Sequence, residues 1–264
     1  MALALGAALT LSISEARAQQ ADAAPRTPAT APALSASARP PLVGWRDAWF
    51  GIAASAAVAV AYQADARTRS AALESGGPGL DGLSKGAEKL GKPVLLVPVL
   101  LVVDQVAGLR RLPGLRGATR RIAGAILVAG ISAEVLKKTV GRARPEDAGG
   151  DPYRFEPFSS FESFPSGHTT LAFAAAAALD QETSAGWIPC VAYPLAGLVG
   201  WSRIHDDRHW SSDVIAGAAL GAWVGHKVSM LESRSGLDPR RWFGVVPSPF
   251  VTPGGLGLQV NATF

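Results

Sequence analysis

Apolar and polar residues occur along this chain in long blocks rather than in residue-by-residue alternation. Six apolar segments rich in Ala, Leu and Val are separated by short clusters of Gly, Pro and charged residues. The segments lack the sustained period of two that marks a half-buried strand, so we predict helices. The six segments are 45–62, 93–108, 121–136, 169–179, 187–201 and 214–231. An all-α fold built as a six-helix bundle is expected.

The two ends of the chain differ from this pattern. Residues 1–13 are almost wholly apolar and the Ala-Arg-Ala at 16–18 fits a signal-peptidase site, so 1–18 are predicted as a signal peptide. A buried N-terminal helix is the alternative. Residues 19–41 are dominated by Ala, Pro, Thr and Ser and are expected to form a flexible linker. The prediction is therefore an exported protein, in the periplasm or on the periplasmic face of a bacterial membrane, with a helical domain at 42–235.

The last 29 residues, 236–264, contain two short extended runs on either side of a Pro-Gly turn at 253–254. This pattern predicts a small β-hairpin laid on the bundle. A disordered extended tail is the alternative reading of the same segment.

Composition narrows the class of protein. Of 264 residues, 48% are hydrophobic and 17% are charged, which excludes general disorder. The 25 basic and 21 acidic residues permit an anionic substrate, and no nucleic-acid partner is expected. The single cysteine, Cys190, excludes an intrachain disulfide and a cysteine-rich metal site.

Charges inside the apolar segments bear on membrane insertion. A membrane-spanning helix needs about 20 apolar residues. Asp104 and Glu134 interrupt the second and third segments, and the fourth soon reaches Asp180. These interruptions favour an exported helical globule that packs against or partly enters the membrane over six full spans. The arginines at 110–121 would mark the cytoplasmic side if the helices do span.

Polar residues of particular kinds cluster at the ends of the predicted helices. Lys137 and Arg144, the latter followed by Pro145, are seven residues apart, about two helical turns, so both can project from one face. Two cations aimed at one point suit a phosphate group. Basic residues at a helix C-terminus also complement the helix dipole, which is the alternative explanation.

A second cluster, Pro165-Ser166-Gly167-His168, opens the fourth segment. A Ser-Gly pair at the start of a helix offers a hydroxyl and unpaired backbone N–H groups to an anion. His168 can transfer a proton near neutral pH. The alternative is an N-capping serine with an incidental histidine.

A third cluster joins the fifth and sixth segments and contains Ser202, Arg203, His209 and Asp213. His209 and Asp213 are four residues apart and share a helix face if the last helix begins near His209. A carboxylate bonded to one imidazole nitrogen would leave the other nitrogen free as a nucleophile. The neighbours at 205–207 are expected in a loop.

Two further basic residues, Lys138 and Arg142, sit beside the first cluster but off its spacing. We predict that both side chains are solvated.

Together the three clusters resemble the signature of the type 2 phosphatidic acid phosphatase family, which also holds bacterial acid phosphatases and vanadium haloperoxidases. That signature is Lys-x6-Arg-Pro, Pro-Ser-Gly-His and Ser-Arg-x5-His-x3-Asp, and this chain matches each position in order. The resemblance implies that a phosphohistidine forms on His209, oriented by Asp213, while His168 acts as general acid and then as base. The phosphate-binding residues that it implies are Lys137, Arg144, Ser166, Gly167 and Arg203.

The resemblance therefore predicts a metal-independent phosphatase for a phosphate monoester of a lipid or small molecule, or for a lipid pyrophosphate. No cofactor is implied, although vanadate can occupy such a phosphate site. A vanadium-dependent haloperoxidase and a non-catalytic phosphate-binding membrane scaffold are the alternatives. Phosphatidate, phosphatidylglycerol phosphate, undecaprenyl pyrophosphate and small esters all suit the same residues. The aromatic residues within 146–164 would line a lipid entrance or simply pack.

Overall fold

A computed structural model describes residues 43–235, 245–252 and 255–262, with side chains up to residue 231. The predicted signal peptide, the whole predicted linker 19–41, the segment 236–244 and the predicted Pro-Gly turn at 253–254 lie outside these residues. Seven helices occur in the described part of the chain. They are α1 (Trp45–Glu74), α2 (Pro78–Leu90), α3 (Pro93–Leu109), α4 (Pro113–Val140), α5 (Gly167–Glu182), α6 (Trp187–His205) and α7 (Ser211–Ser235).

The all-helical character of this region agrees with the prediction, but the count of six helices is not confirmed. The additional helix is α2, which lies between the first two apolar segments. Its apolar residues Leu80, Leu83, Ala87 and Leu90 recur at helical spacing but are separated by glycines and charges. A search for long apolar runs therefore passes over this helix. Proline stands at the first position of α2, α3 and α4, where its missing N–H has no role in the helix.

Helix α5 is the centre of the bundle and packs against α4, α6 and α7. Its alanines at 172, 174 and 176–178 are buried, and small side chains allow the neighbouring helices to approach closely. The start of α5 is tied to the start of α7, because the Ser166 N–H donates to the Asp213 carbonyl oxygen at 3.0 Å. This packing brings the second and third sequence clusters to the same end of the bundle.

Near the C-terminus, β1 (Val245–Thr252) and β2 (Gly255–Ala262) pair as antiparallel strands. Whether this pair lies on the helices, as the sequence suggested, stays a prediction.

Several helices expose apolar side chains on their outer faces. By length and composition, one described helix, Ser211–Leu231, is apolar enough to cross a membrane, although a buried core helix passes the same test. The pair α2–α3, bent by 50°, also passes when taken as one span. Exposed residues on α3 and α4 include Val97, Leu101, Leu127, Ile131 and Val135. These faces are compatible with contact with a membrane.

Candidate active site

The three sequence clusters meet where α4 and α6 end and where α5 and α7 begin. A Cβ atom placed on Gly167 would lie 3.1 Å from Lys137 Nζ, so the first and second clusters are in contact. Helix α4 ends at Val140, and Gly141 follows in the left-handed region with φ 58°. Lys137 therefore belongs to α4 while Arg144 lies in the loop beyond it, rather than on a continued helix face.

His209 is buried, and the contact of one ring nitrogen defines its protonation. Its Nδ1 lies 2.8 Å from the backbone carbonyl oxygen of Ser163. A carbonyl oxygen only accepts hydrogen bonds, so Nδ1 carries the hydrogen and Nε2 has the lone pair. Burial lowers the pKa of His209, and the charges of Arg144 and Lys137 lower it further against the opposing effect of Asp213. The lowered pKa favours the neutral ring, whose lone pair is on Nε2.

The predicted direct bond between Asp213 and His209 is replaced by an indirect one. Asp213 Oδ2 lies 3.7 Å from His209 Nδ1, which is beyond a hydrogen bond. The same oxygen accepts the Ser163 hydroxyl at 2.5 Å and the Trp210 N–H at 3.0 Å. Helix α7 begins only at Ser211, so His209 precedes it. Asp213 thus fixes the segment of Ser163, whose carbonyl group orients the histidine.

Arg142 corrects the prediction of a solvated side chain. Only 1% of Arg142 is exposed, and its guanidinium bonds Asp213 and Asp65 at 2.7 Å each. It also donates to Ser212 Oγ at 2.7 Å and to the Pro152 carbonyl oxygen at 2.8 Å. The planar fork of donors is fully used, because burying an unpaired cation would be costly. Lys138, by contrast, is exposed and pairs with Glu162, as expected of a solvated side chain.

Asp65 of α1 belongs to the buried network behind the site, and the sequence did not predict it. It is fully buried, and its carboxylate also accepts the hydroxyls of Ser211 and Ser212 and the Ser212 N–H. It lies 77 residues from Arg142, so no local spacing pointed to it. Its local sequence gave little signal, because Asp65 follows the apolar segment 45–62 and lies in the polar run 63–70.

Aromatic rings enclose the Arg142 guanidinium. Its Cζ lies 5.1 Å from the centroid of Tyr62, 5.3 Å from Phe155 and 5.4 Å from Trp210, within cation–π range. Tyr153 packs edge-on against Tyr62 at 5.2 Å. Two aromatics of the 146–164 loop therefore pack, while Phe158 is 79% exposed.

The three predicted phosphate-binding cations differ in how firmly they are paired. Lys137 pairs with Glu134 at 2.6 Å, and Arg144 approaches Glu146 only to 3.9 Å. Arg203 is 4% exposed and contacts two carboxylates. A phosphoryl group would meet three positive charges around His209 and His168.

Helix α2 supplies the partners of the end of α6. Glu88 Oε1 lies 3.2 Å from Arg203, and Ser84 donates to Asp206 at 2.6 Å. Asp206 in turn accepts from Arg203 at 2.5 Å. These α2 residues were also missed, although polar groups four residues apart on one helix face are a recognisable signal.

A second such contact concerns His205, which was expected in a loop and is instead the last residue of α6. Its Nε2 lies 3.0 Å from Asp81 Oδ1, another residue of α2. The end of α6 is therefore held against α2 at several points.

The second cluster presents His168 from the first turn of α5. Burial lowers the pKa of His168 to about 4, and the charges of Arg203 and His209 act in the same direction. Ser166 is buried, with its N–H on Asp213 and its Oγ accepting from Thr169 at 2.9 Å. Gly167 begins the helix, where backbone N–H groups lack helical acceptors.

An apolar groove of about 900 Å³ runs along α3, α4 and α5 and reaches this site. Val97, Leu101, Leu127, Ile131 and Leu171 line its length. Gly167 lies at the end near the cations, whereas Asp104, Gln105, Thr119 and Arg120 line the other part.

The structure thus gathers two histidines and three cations at one end of a helical bundle. The family model described as PAP2 superfamily matches residues 118–234. An undecaprenyl-diphosphatase of Sulfolobus acidocaldarius is 30% identical over 154 residues, which are 58% of this chain and 71% of that relative. The chain belongs to the PAP2 superfamily.

Two other similarities agree with this membership. A lipid A 1-phosphatase of Rhizobium johnstonii is 39% identical over 121 residues, 42% of this chain and 47% of that protein. The chain thus spans about half the length of this relative. A transmembrane PAP2-type phosphatidylglycerolphosphate phosphatase from Bacillus subtilis, known as a crystal structure, has a TM-score of 0.51 and 25% identity. That match covers 71% of this chain and 94% of the other.

Proposed function

We propose that this chain hydrolyses the phosphate monoester of a lipid outside the cytoplasm, through a phosphohistidine on His209. The observation that carries the lipid assignment is the apolar groove, because it joins the cation-lined site at Gly167. A groove of this volume and lining suits a hydrocarbon chain whose phosphate lies among the cations. The similar proteins bear the names of phosphatases of lipid A, undecaprenyl diphosphate and phosphatidylglycerolphosphate, which supports the same class of substrate.

In the first half-reaction, the lone pair of His209 Nε2 attacks phosphorus. An N–P bond forms while the bond between phosphorus and the lipid oxygen breaks, and His168 gives its proton to that oxygen. Lys137, Arg144 and Arg203 would hold the non-bridging oxygens together with the Gly167 N–H and the Ser166 hydroxyl. The buried charge of Asp213, 3.7 Å from Nδ1, would stabilise the positive imidazole of the intermediate.

In the second half-reaction, neutral His168 takes a proton from a water molecule. The water oxygen attacks phosphorus, the N–P bond breaks, and inorganic phosphate leaves. The pKa of His168, lowered to about 4 by burial, must rise when the dianionic phosphoryl group binds beside it. Three fixed cations offset the phosphoryl charge, so the mechanism calls for no metal ion. Vanadate would bind in the same position.

Trapping of the phosphoenzyme tests this proposal. The chain is mixed with substrate that carries a radiolabelled phosphate group, and the reaction is stopped without acid. The label should remain on the wild-type chain and be absent from the His209→Ala variant. His226→Ala is the matched control, because His226 is exposed on α7 and distant in sequence from the motif. Labelling of His209→Ala at the wild-type level would refute the assignment of the nucleophile.

The location outside the cytoplasm needs its own test. Protease added to intact spheroplasts should digest the chain, whereas a cytoplasmic marker should survive. A carbonate wash of the membrane fraction then separates the two modes of association, since complete release excludes a bundle that spans the membrane.

A further inference from the structure

Two carboxylates pair with Arg203 in the structure. Glu88 Oε1 lies 3.2 Å from the guanidinium, and Asp206 contacts it at 2.5 Å. Arg203 is only 4% exposed, so water screens these pairs poorly. A phosphoryl group that binds Arg203 must therefore compete with an acid that the protein itself supplies.

The two carboxylates differ in how they are held. Asp206 lies three residues from Arg203 and accepts the Ser84 hydroxyl at 2.6 Å, so its position is fixed. Glu88 reaches across from α2 and is exposed to the same degree as Asp206, 24% against 25%, so its partners and not its exposure set it apart. It has a second cationic partner, since Lys92 Nζ lies 2.9 Å from the same oxygen, Oε1. Glu88 can leave Arg203 and remain paired with Lys92.

The turn that carries Lys92 lies directly against His168. A Cβ atom on Gly91 would stand 2.6 Å from Val199 Cγ1, 3.0 Å from the His168 carbonyl oxygen and 3.2 Å from His168 Cβ. Only glycine allows this approach of the α2–α3 turn to α5 and α6. The turn that follows Glu88 on the chain therefore packs against the backbone and Cβ of the proposed general acid.

The charges facing His168 come from both sides of the site. From α6 and the segment after it, Arg203 and His209 oppose protonation of the imidazole, and Lys92 does so from the α2–α3 turn. Glu88 acts in the opposite direction and raises the pKa of His168. The Glu88 carboxylate therefore offsets the positive charge of protonated His168 as well as that of Arg203.

We propose that Glu88 is an internal competitor that the substrate phosphoryl group displaces from Arg203, after which its carboxylate stays with Lys92 and supports the protonated form of His168. This inference rests on the proposed function, because it concerns the same phosphate site. It makes Glu88 a positioning residue that opposes binding of phosphate but favours protonation of the leaving oxygen.

Direct binding of inorganic phosphate tests the competition without requiring turnover. Glu88→Gln of the full chain should bind phosphate about two- to fivefold more tightly than the wild type, the range for a partly exposed ion pair. Glu74→Gln, which removes an exposed charge at the end of α1, should bind as the wild type does. Equal or weaker binding by Glu88→Gln overturns the competition.

The effect on His168 appears in the pH profile. With an alkyl phosphate, the alkaline limb of kcat should move to lower pH in Glu88→Gln, because the protonated imidazole loses its counter-charge. The same substitution should affect p-nitrophenyl phosphate much less, since its leaving group needs little protonation. An unmoved limb in a variant that binds phosphate more tightly overturns the second role of Glu88.

Glu88→Asp keeps the inference testable if Glu88→Gln does not fold. The shorter side chain draws the carboxylate back from Arg203 but keeps a negative charge on α2, so phosphate binding should tighten while the alkaline limb moves less than in Glu88→Gln. If the wild-type chain binds no phosphate at all, the proposed function itself fails, and this inference fails with it. Wild-type binding that Glu88→Gln and Glu88→Asp leave unchanged overturns this inference alone.

Discussion

Arg142 and Asp213 form an ion pair of 2.7 Å in which the two side chains are 1% and 0% exposed. The same guanidinium bonds Asp65 of α1, so one cation joins the first helix to the carboxylate behind the proposed nucleophile. Removal of one partner of a buried ion pair destabilises the fold, because it leaves an uncompensated charge inside the protein.

Asp65→Asn should lower the free energy of unfolding by about 3–5 kcal/mol, the usual cost of breaking a buried ion pair. The amide also turns a donor toward the hydroxyls and the N–H that now bond the carboxylate. Denaturant unfolding measures this loss. Asp147→Asn, at an exposed position in the loop that follows α4, should change the free energy of unfolding by less than about 0.5 kcal/mol. Similar losses in both variants would contradict the role given to the buried network.

Ser163→Ala separates the two contacts that Ser163 makes. The variant keeps the backbone carbonyl that accepts from His209, but it loses the hydroxyl bond to Asp213. Arg142 and the Trp210 N–H still bond that carboxylate, so kcat should fall by no more than about tenfold, as for the loss of one hydrogen bond. Steady-state kinetics measure this fall in kcat, with His209→Ala as the reference for an inactive chain. Complete loss of activity in a folded Ser163→Ala chain would contradict the expectation that Arg142 and the Trp210 N–H suffice to hold Asp213.

His168→Ala should distinguish leaving groups. Esters with poor leaving groups need a proton on the departing oxygen, whereas p-nitrophenolate leaves without one. The variant should therefore lose at least about a hundredfold on an alkyl phosphate, within the range of general acid catalysis, and much less on p-nitrophenyl phosphate. Initial rates on both esters give the comparison. Equal losses on both would argue against His168 as the acid.

The lowered pKa of His168 also predicts how stability depends on pH. Between the unfolded value near 6.5 and the folded value of about 4, the unfolded chain binds the proton more readily. Stability from this group is therefore present above pH 6.5 and is lost as the pH falls toward 4, by at most about 3 kcal/mol. Thermal midpoints across this range should fall less for His168→Gln than for the wild type. Parallel slopes would show that His168 is not the group responsible.

Filling the groove tests the lipid substrate apart from the chemistry. Leu127 lines the groove and is 46% exposed, so Leu127→Trp should obstruct a hydrocarbon chain without disturbing the core. We expect kcat/KM for a long-chain lipid phosphate to fall by about tenfold or more, since each buried methylene contributes about 0.8 kcal/mol. Turnover of p-nitrophenyl phosphate should not change. Leu195→Trp, on an exposed part of α6 outside the groove lining, is the control.

The sequence predicted the parts of the site that local spacing encodes. The spacing within each sequence cluster placed four residues near predicted helix ends, and the structure brings them together: Lys137, His168, Arg203 and His209. The sequence could not predict that the backbone carbonyl group of Ser163 orients His209, because a backbone acceptor leaves no side-chain signal. Arg142 was misassigned for a related reason, since burial beside Asp65 depends on how α1 packs and not on neighbouring residues. Helix α2 was missed because its apolar stripe is broken by glycines and charges.

The carboxylates that complete this site come from residues that precede the region shared with the family model. Asp65 and Glu88 stand before residue 118, yet they contact Arg142 and Arg203 within it. A fragment trimmed to the shared region would keep every signature residue while leaving two buried arginines without those partners. Exchanging the N-terminal halves of two superfamily members would therefore change the partners of these arginines and leave the signature residues unchanged. Catalytic rates can thus diverge between members that share the whole signature.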